Sequence, residues 1–487
     1  MNLKKLLKDL PVKKIKGSKD IEIKGICSNS KIVFPGCLFI ARKGKAFNGA
    51  DFIETAISSG AVAIVTDMYN PFLDNVVQII CEDPNEMEAE LAVRYYENSS
   101  EKLNIIGITG TNGKTTISYL IKHLFDSNNA SCSLTGTIET IVGDNKVFSS
   151  RTTSDVISIH KFLKESLMSK IKNVVMEVTS HGLDQDRVKY VDFDIGVFTN
   201  LSLDHLDYHN DMQSYALAKQ KLFNSLKEGK TAIVNNDDEY ASCMVKNTKA
   251  NVITFAIDNK AELKATSIEY TSRATNFILE YENQKYQFST NLIGKFNVYN
   301  ILATIAVGLA NHMKIDSIQR SIESFENVKG RMDRICFSNK NIVIDFAHTP
   351  NALQNVLTTL KDICEGRLIT VFGCGGNRDK SKRPIMGEIA EKYSNFSIVT
   401  TDNIRDEDPK MIVNDIIAGF RSQKNYMIEL DRKEAISKAI LMASENDIIL
   451  IAGKGHESVQ IFANKQQHFN DKQVAESLLQ EMNCKGC

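Results

Sequence analysis

Residues 107–116, Gly-Ile-Thr-Gly-Thr-Asn-Gly-Lys-Thr-Thr, have the composition of a loop that binds phosphate. Glycines let successive main-chain N–H groups approach phosphate oxygens, and the start of a following helix adds positive potential. We expect Lys114 to place its charge beside the β- and γ-phosphates and Thr115 to ligate Mg²⁺. The predicted loop consists of Gly110, Thr111, Asn112, Gly113, Lys114, Thr115 and Thr116. It differs from the generic phosphate-loop pattern, because Ile108 stands where that pattern has glycine.

Two other segments carry side chains that could bind a divalent cation. Glu177 ends an apolar run, so it is placed either for Mg²⁺ or as a helix cap or surface carboxylate. The segment 199–209 contains two histidines and two aspartates, including His205. It is either a ligand loop for Mg²⁺ or Mn²⁺ or a loop that only caps a helix, and the phosphate loop favours Mg²⁺.

Lys219 lies in the sequence Tyr-Ala-Leu-Ala-Lys-Gln-Lys-Leu-Phe. On this pattern alone, it is interpreted as a solvated lysine on a helix surface.

A third group of candidates lies near the C-terminus. Arg378 and Arg405 both follow predicted strands, and guanidinium groups bind carboxylates with two hydrogen bonds. Either arginine alone would be an ordinary surface residue. Together with Gly453 and Glu457 they indicate a pocket for a zwitterion, in which Glu457 would accept the ammonium group. A phosphate loop and an amino-acid pocket in one chain suit the joining of an acid to an amine.

The order of apolar runs predicts an α/β fold with three domains. Strands are predicted at 103–108, 173–178, 194–199, 230–234, 342–345, 368–372, 396–400 and 447–451, with helices between them. We expect a small N-terminal α/β domain at 1–98, a central domain with a doubly wound, mostly parallel sheet at 99–329, and a Rossmann-like α/β domain at 330–487. Ligands should collect at the carboxyl ends of the strands.

The composition excludes several classes of function. A formal net charge of −1 gives no electrostatic reason to expect nucleic-acid binding. No apolar run is long enough to span a membrane, and the N-terminus is too charged for a signal peptide. We expect a cytoplasmic monomer with reduced cysteines.

Several motifs in a fixed order resemble the Mur ligase family of peptidoglycan synthetases. They include G-T-N-G-K-T-T at 110–116, E-V-T-S-H-G-L at 177–183, A-K-x-x-L-F at 218–223, D-F-A-H-T-P at 345–350 and A-G-K-G-H-E at 452–457. The resemblance covers essentially the whole chain. It implies ATP-dependent formation of an amide bond on a UDP-linked muramoyl peptide, with Mg²⁺.

The resemblance also implies roles for individual residues. Thr115, Glu177, His205 and Lys219 would surround Mg²⁺, with Lys219 carbamylated, which reverses its interpretation as a surface residue. Asn297 and Arg331 would hold the adenine and the phosphate side of ATP, and Asp345 the ribose. The uridine portion would contact Ser28, Ser30, Lys45, Ala46 and Phe47. The muramoyl dipeptide would contact Thr152, Thr153, Thr179, Gln185 and Arg187.

The amino acid to be added would be set by the sequence Asp402-Asn403-Ile404-Arg405. Family members that use meso-diaminopimelate carry D-N-P-R, whose arginine meets the distal carboxylate. This chain keeps Arg405 but has Ile404 in place of proline, which restores an N–H group and frees φ. We therefore favour addition of meso-diaminopimelate to UDP-N-acetylmuramoyl-L-alanyl-D-glutamate, through an acyl phosphate. L-Lysine or another diamino acid remains an alternative, as do folylpolyglutamate synthesis and a P-loop ATPase without ligase activity.

Overall fold

The computed structural model describes residues 1–44, 48–271, 274–337, 340–463 and 465–485. The chain divides into two compact units. The first comprises Met1–Gly107 and Ala130–Ile195, and the second comprises Ile108–Asn129 and Gly196–Cys487.

Helices and strands alternate from the N-terminus onward. The elements up to residue 103 are α1 (Leu3–Leu6), β1 (Val12–Lys16), β2 (Gly25–Cys27), β3 (Cys37–Ile40), α2 (Ile53–Ser58), β4 (Ala63–Thr66), β5 (Val77–Cys81) and α3 (Pro84–Tyr95). Short 3₁₀ helices lie at Ser30–Ile32, Gly49–Phe52, Ser99–Lys102 and, near the other end of the chain, Gln423–Asn425.

The middle of the chain contains the predicted phosphate loop between its first strand and first helix. Its elements are β6 (Asn104–Thr109), α4 (Lys114–Ser127), β7 (Cys132–Thr135), β8 (Glu139–Val142), β9 (Asn145–Phe148), α5 (Val156–Met168), β10 (Asn173–Glu177), α6 (Ser180–Asp184), β11 (Ile195–Phe198), α7 (Leu206–His209), α8 (Met212–Asn224), β12 (Thr231–Asn235), α9 (Ala241–Val245), β13 (Asn251–Ala256), β14 (Leu263–Tyr270), β15 (Thr275–Tyr281), β16 (Gln284–Thr290), α10 (Lys295–Ala310) and α11 (Ile315–Glu323).

The last third of the chain again alternates strands with helices. Its elements are β17 (Asp333–Phe337), β18 (Lys340–Asp345), α12 (Pro350–Ile363), β19 (Leu368–Phe372), α13 (Lys382–Tyr393), β20 (Phe396–Val399), α14 (Pro409–Ile417), β21 (Tyr426–Ile428), α15 (Arg432–Met442), β22 (Ile448–Ala452), β23 (Val459–Phe462), β24 (Lys465–His468) and α16 (Asp471–Lys485).

In the first unit, the N-terminal strands form a sheet in the order β1-β5-β4-β3-β2. Strands β2 to β5 are parallel, and β1 joins the edge antiparallel to β5. Every residue of β3, β4 and β5 is buried. Continuous apolar strands of this kind are typical of a parallel sheet covered on both faces.

The remainder of the first unit positions Glu177 and the residues that follow it. Strand β10 pairs in parallel with β7, and β7, β8 and β9 continue as antiparallel neighbours. The N-terminus of α6 is capped by Thr179, whose hydroxyl accepts a hydrogen bond from the Gly182 N–H at 3.1 Å. A cap of this type satisfies a donor that the first turn of a helix leaves free.

In the second unit, β11 to β16 lie in chain order across the sheet. Strands β12, β13 and β14 are parallel, whereas β14, β15 and β16 form antiparallel pairs at the edge. Helix α10 is apolar nearly all round and packs closely on its neighbours. Gly308 permits this approach, since a Cβ there would lie 2.8 Å from Ile318 and 3.2 Å from Leu124 of α4.

The C-terminal strands of the second unit form another sheet, in the order β17-β18-β22-β19-β20-β21. All pairs are parallel except β17 with β18. The carboxyl ends of β18, β22, β19 and β20 therefore meet at one edge, where a Rossmann-like sheet collects ligands. Arg432 ties two of these ends together, because its buried guanidinium donates to the carbonyls of Thr401 at 3.1 Å and Ala452 at 2.9 Å.

The predicted α/β fold is confirmed, including the parallel sheets and the alternation of strands and helices. Predicted strands coincide with β6, β10, β11, β12, β18, β19, β20 and β22 to within one or two residues. The antiparallel strands β14 to β16 were not predicted. The domain boundaries at residues 98 and 329 remain predictions.

Candidate functional site

The loop between β6 and α4 depends on glycine at two positions. Gly113 has a φ of +89°, in the region that disfavours side chains, and a Cβ there would lie 2.6 Å from the Asn300 Oδ1. A Cβ at Gly110 would collide with the Thr199 hydroxyl. The main chain therefore turns tightly against its neighbours, as a phosphate cradle requires.

The loop is held by the end of the adjacent strand β11. The Thr111 N–H donates to the Asn200 carbonyl at 2.8 Å, and the Asn112 N–H donates to the Asn200 Oδ1 at 2.9 Å. In return, the Thr199 hydroxyl donates to the Asn112 carbonyl at 2.6 Å. These reciprocal bonds fix the loop before any ligand binds, which reduces the ordering cost of binding.

Two lysines converge on one carbonyl of this loop. Lys114 Nζ donates to the Gly110 carbonyl at 2.8 Å and to the Thr111 carbonyl at 2.9 Å. Lys219 Nζ donates to the same Gly110 carbonyl at 2.9 Å. The two candidates, 105 positions apart in the sequence, thus lie side by side. Two amines beside one glycine-rich loop create a local environment that suits a polyanion.

The interpretation of Lys219 as a solvated surface lysine is wrong. Its side chain is 1 % exposed and its Nζ lies 4.6 Å from the ring centroid of Tyr215. Burial lowers the pKa of Lys219 well below its ordinary value, and the nearby charge of Lys114 lowers the pKa further. A neutral amine is therefore favoured at this position.

The loop before α7 places His205 beside a buried aspartate. His205 Nε2 lies 3.5 Å from the Asp204 Oδ2, and its ring meets Tyr215 edge to face at 6.0 Å. Burial alone would raise the pKa of Asp204. The charges of His205, His348 and Lys382 outweigh it and hold the pKa below its ordinary value. The segment 199–209 thus brings polar groups into the second unit's interior and does more than cap a helix.

A cavity of about 300 Å³ adjoins the loop within the second unit. This volume lies at the lower end of the range for small-molecule sites. Its lining includes the nucleotide candidates Asn112, Gly113, Thr116, Asn297, Arg331 and Asp345. The structure therefore brings the loop, α10 and the start of the C-terminal segment around one space.

Three nucleotide candidates from outside the loop are fixed by neighbours. Asn297 donates to the Ile293 carbonyl at 2.9 Å and accepts from Asn300 Nδ2 at 2.9 Å. Arg331 donates to the Thr115 hydroxyl at 3.1 Å. Asp345 accepts main-chain N–H groups at 2.7 and 2.8 Å, and burial raises its pKa although Arg331 opposes that shift.

In the first unit, Glu177 is 1 % exposed and has defined donors. Its Oε1 accepts from the Thr137 N–H at 2.9 Å, and its Oε2 accepts from the Thr137 hydroxyl at 2.8 Å. The position of Gly136 allows this approach, because a Cβ there would collide with the carboxylate. Glu177 is therefore neither a helix cap nor a surface carboxylate.

The five dipeptide candidates form one connected network around the same strand end. Thr153 Oγ1 lies 2.9 Å from the Glu177 carbonyl and 3.0 Å from Thr179 Oγ1, and Thr152 Oγ1 lies 3.1 Å from Thr137 Oγ1. Arg187 donates to the Thr153 carbonyl at 2.8 Å and to Gln185 Oε1 at 2.6 Å.

The uridine candidates lie at the end of β2. Ser28 follows that strand and Ser30 begins the 3₁₀ helix Ser30–Ile32, and both are partly exposed. Lys45, Ala46 and Phe47 lie outside the described residues.

The two C-terminal arginines lie on adjacent strand-end loops. Arg405 has a left-handed φ of +52° and donates to the carbonyls of Gly376 at 2.7 Å and Asn403 at 3.3 Å. Burial and the charge of Arg378 lower the pKa of Arg405. Two guanidinium groups that repel each other in this way provide a local positive field, which a carboxylate ligand would relieve.

The remaining C-terminal candidates surround a buried lysine that the sequence analysis did not single out. Lys454 donates to Asn403 Oδ1 and to Glu457 Oε2, and Gly453 makes room for the buried Asp402, since a Cβ there would lie 2.6 Å from its Oδ2. Ile404 is partly buried against the apolar core of this sheet.

Asn200 and Asn300 were also missed. Asn200 lies in the segment already singled out, directly after β11. Asn300 follows Asn297 by three residues, and that spacing places both on one face of a helix. The spacing was therefore a usable signal. Glu457 and Asn403 were both predicted as candidates, but nothing in the sequence indicated that Lys454 bonds to both of them.

In the ranges that the structure describes, no three His, Cys, Asp or Glu side chains form a group that could hold a metal ion. Within those same ranges, no helix is long and apolar enough to cross a bilayer.

Family models match three consecutive parts of the chain. Residues 22–96 match the Mur ligase family catalytic domain, 108–308 the Mur ligase middle domain, and 330–455 the Mur ligase glutamate ligase domain.

Curated relatives and a solved structure extend this likeness to nearly the whole chain. A UDP-N-acetylmuramoyl-L-alanyl-D-glutamate–2,6-diaminopimelate ligase from Chlamydia pneumoniae is 44 % identical over 97 % of this chain and 98 % of its own length. An enzyme of the same name from Clostridium acetobutylicum is 40 % identical over 99 % of this chain and 100 % of its own. A structure of a ligase of that name has a TM-score of 0.69 at 31 % identity, and the match covers 99 % of both chains.

The chain belongs to the Mur ligase family, an ATP-dependent family of enzymes that form amide bonds. The resemblance inferred from its motifs is therefore confirmed.

Proposed function

We propose that this protein is the ATP-dependent ligase that adds meso-diaminopimelate to UDP-N-acetylmuramoyl-L-alanyl-D-glutamate in cytoplasmic peptidoglycan precursor synthesis. The observation that carries the proposal is the end-to-end match, at 44 % and 40 % identity, to two enzymes whose names state this substrate pair. The cytoplasmic location and a monomeric state belong to the proposal and rest on the family resemblance.

The reaction has two steps. A carboxylate oxygen of the dipeptide's D-glutamate attacks the γ-phosphorus of ATP, so that an acyl phosphate forms and ADP leaves. The amine of the amino acid then attacks the acyl carbon, phosphate leaves, and the amine loses a proton. Phosphorylation is required because a carboxylate is a poor electrophile, and phosphoryl transfer itself depends mainly on positioning and charge neutralisation.

ATP would occupy the cavity beside the phosphate loop. Support comes from the polar residues among those that line the cavity and from the tight loop, whose glycines leave no room for side chains. Lys114, which now bonds to carbonyls of its own loop, would turn toward the β- and γ-phosphates. Arg331 and Asp345 would hold the phosphate side and the ribose, and Asn297 the adenine.

Mg²⁺ would be held by Thr115, Glu177, His205 and a carbamate on Lys219. When bound, it neutralises phosphate charge during transfer. Mg²⁺ is usually held by few protein carboxylates together with waters and substrate phosphates. A set with one carboxylate, one carbamate and one hydroxyl supplies the oxygen ligands that Mg²⁺ prefers, and the imidazole of His205 would complete it.

The carbamate of Lys219 would form by attack of its neutral amine on CO₂, with release of one proton. The lowered pKa of Lys219 favours that neutral form. The product would be an anion beside Lys114, so that a neutral amine becomes a metal ligand.

The dipeptide and the diamino acid would approach the acyl carbon from different loops. Thr152, Thr153, Thr179, Gln185 and Arg187 would hold the muramoyl dipeptide, which their shared hydrogen-bond network supports. The uridine portion would contact Ser28, Ser30 and residues 45–47.

Meso-diaminopimelate has two carboxylates and two amines. Arg378 and Arg405 would bind one carboxylate each, with Arg405 at the distal one. Glu457 would accept a hydrogen bond from an ammonium group, and residues 402–404 and Gly453 would shape the pocket. L-Lysine lacks the distal carboxylate, so the half-buried Arg405 would disfavour it.

Phosphate release tests the proposal. With ATP and Mg²⁺ present, we expect release only when both the UDP-muramoyl dipeptide and meso-diaminopimelate are added. Release without the amino acid would indicate an ATPase. Release with lysine in place of diaminopimelate would move the proposal to the lysine-adding reaction.

A further inference from the structure

The loop after β22 contains a lysine that the proposed reaction does not use. Lys454 is fully buried, and its Nζ donates to Asn403 Oδ1 at 3.2 Å, Glu457 Oε2 at 2.8 Å and the Val459 carbonyl at 2.7 Å. A lysine ammonium has three N–H donors. All of them are used within the protein, so Lys454 does not itself bind substrate.

Asn403 joins Lys454 to Glu457 by a second route. Its Nδ2 donates to Glu457 Oε2 at 2.8 Å, while its Oδ1 accepts from Lys454 and from the Ile461 N–H at 2.9 Å. Both donors that reach the carboxylate bind the same oxygen, Oε2. The other oxygen, Oε1, receives neither bond.

The Lys454 side chain lies deeper in the protein than the Glu457 side chain. Lys454 is 0 % exposed and Glu457 is 30 % exposed. The lysine therefore lies behind the carboxylate, on the side away from solvent. A carboxylate held by one oxygen keeps acceptor capacity on the other, which an ammonium group can use.

We propose that Lys454 is a positioning residue for the amino-acid substrate. It holds Glu457 by Oε2 so that Oε1 is presented to an ammonium group of that substrate. This inference rests on the proposed function, since it assumes that an amino acid binds at these strand ends. Lys454 thus acts through Glu457 and does not touch the reacting atoms.

A purely structural role gives a different expectation. The bond from Lys454 to the Val459 carbonyl ties the loop to β23. If this tie were the whole role of Lys454, its loss would lower stability without selecting one substrate. The ratio of KM values for the three substrates therefore separates the two roles.

The test compares Lys454→Met with Lys472→Met in the full-length protein. Lys472 also forms an ion pair in the C-terminal region, at 2.9 Å from Asp333, but it does not touch Asn403 or Glu457. In Lys454→Met we expect the KM for meso-diaminopimelate to rise about 10- to 100-fold, because a charge-assisted hydrogen bond is lost. The KM values for ATP and the UDP-muramoyl dipeptide, and kcat, should stay near wild type. Lys472→Met should leave all of them unchanged.

A double-mutant cycle tests whether Lys454 acts through Glu457. In a Glu457→Gln background, Lys454→Met should change the KM for diaminopimelate by less than about twofold, since coupled residues are not additive. If Lys454→Met raised the KM for diaminopimelate in that background as much as it does in the wild type, the proposal would be overturned. An unchanged KM for diaminopimelate in folded Lys454→Met would also overturn it.

If Lys454→Met does not fold, Lys454→Gln replaces it in the same assay. That variant removes the charged donor to Glu457 Oε2 and keeps a polar group at the buried position, and we expect the same selective rise in KM. An equal rise in all three KM values would contradict the inference. A wild-type protein without ligase activity would refute the proposed function. If the wild type is active but the variant raises all three KM values equally, only the inference about Lys454 is refuted.

Discussion

One buried lysine, Lys219 on α8, contacts the phosphate loop, and another, Lys454, lies at the C-terminal strand ends, but the two lysines have different partners. Lys219 donates to a main-chain carbonyl beside Lys114, so two amines lie side by side, and burial favours the neutral form of the Lys219 amine. Lys454 donates to the carboxylate of Glu457, so its charge is compensated inside the protein.

This difference indicates how each region would treat a ligand. The phosphate loop has a surplus of amines that a polyanion or a carbamate would neutralise. In the C-terminal region, the donors of the buried lysine are all used within the protein. Only selected atoms, such as Glu457 Oε1, are left to bind the substrate. Loss of a lysine should therefore abolish chemistry in the first region and change substrate preference or affinity in the second.

The largest expected effect is that of Lys114→Ala. Removal of a preorganised charge beside the transferred phosphoryl group should lower ligation by about 10³-fold. Circular dichroism should show an intact fold. Lys122→Ala, on the same helix and paired with Asp126 at the surface, is the matched control. Near wild-type phosphate release by folded Lys114→Ala would contradict the assignment of this loop as the phosphate site.

The ligation rate of Lys219→Ala should fall by about 10²-fold or more, because the variant lacks the proposed carbamate ligand. A short carboxylic acid in the buffer should restore part of the activity by supplying an anion in its place. Lys221→Ala changes an exposed lysine on the same helix and should remain active. Full activity of Lys219→Ala without the acid would exclude a role for the buried amine.

Arg405→Ala should change the preference between meso-diaminopimelate and L-lysine more than it changes the rate of ATP turnover. We expect the ratio of kcat/KM for meso-diaminopimelate over L-lysine to fall about 10- to 100-fold, the range for a hydrogen bond to a charged group. Arg378→Ala should lower kcat/KM for both amino acids to a similar extent. An unchanged ratio in Arg405→Ala would leave its distal-carboxylate assignment without support.

The smallest expected effect concerns stability in acid. Burial, together with the charge of Lys382, lowers the pKa of His348 to about 4. Between an ordinary pKa of about 6.5 and this value, the unfolded chain binds a proton that the folded protein does not. The free energy of unfolding should therefore fall by about 1–3 kcal/mol as the pH is lowered from 6.5 to 4, and no further through this group below pH 4.

Chemical denaturation of His348→Gln at several pH values checks this expectation. The variant should show a shallower dependence on pH between 6.5 and 4. His468→Gln, which changes an exposed histidine, should retain the slope of the wild type. Identical slopes in all three proteins would show that His348 is not the group responsible.

Much of the fold could be predicted because its parallel strands are continuous apolar runs. Strands β19 and β22 are buried at every residue, and both were identified from the sequence. The edge strands β14 to β16 mix buried residues with partly buried or exposed ones within a polar sequence, so they lack that continuous apolar signal.

The candidate site was less accessible to sequence reasoning because its contacts join distant residues. Lys219 is buried although Leu217, two positions away on α8, is 47 % exposed, which is the reverse of the usual apolar pattern. Its hydrogen-bond partner is 109 residues away. Only the family resemblance indicated its importance, and nothing local indicated that of Lys454. The site assignments themselves remain predictions.

The most direct measurement is identification of the product by mass spectrometry. The protein would be incubated with UDP-N-acetylmuramoyl-L-alanyl-D-glutamate, ATP and Mg²⁺, with equal amounts of meso-diaminopimelate and L-lysine. We expect a nucleotide-linked tripeptide that contains diaminopimelate, together with ADP and phosphate in equal amounts. A product that contains lysine, or ATP hydrolysis without any peptide product, would contradict it.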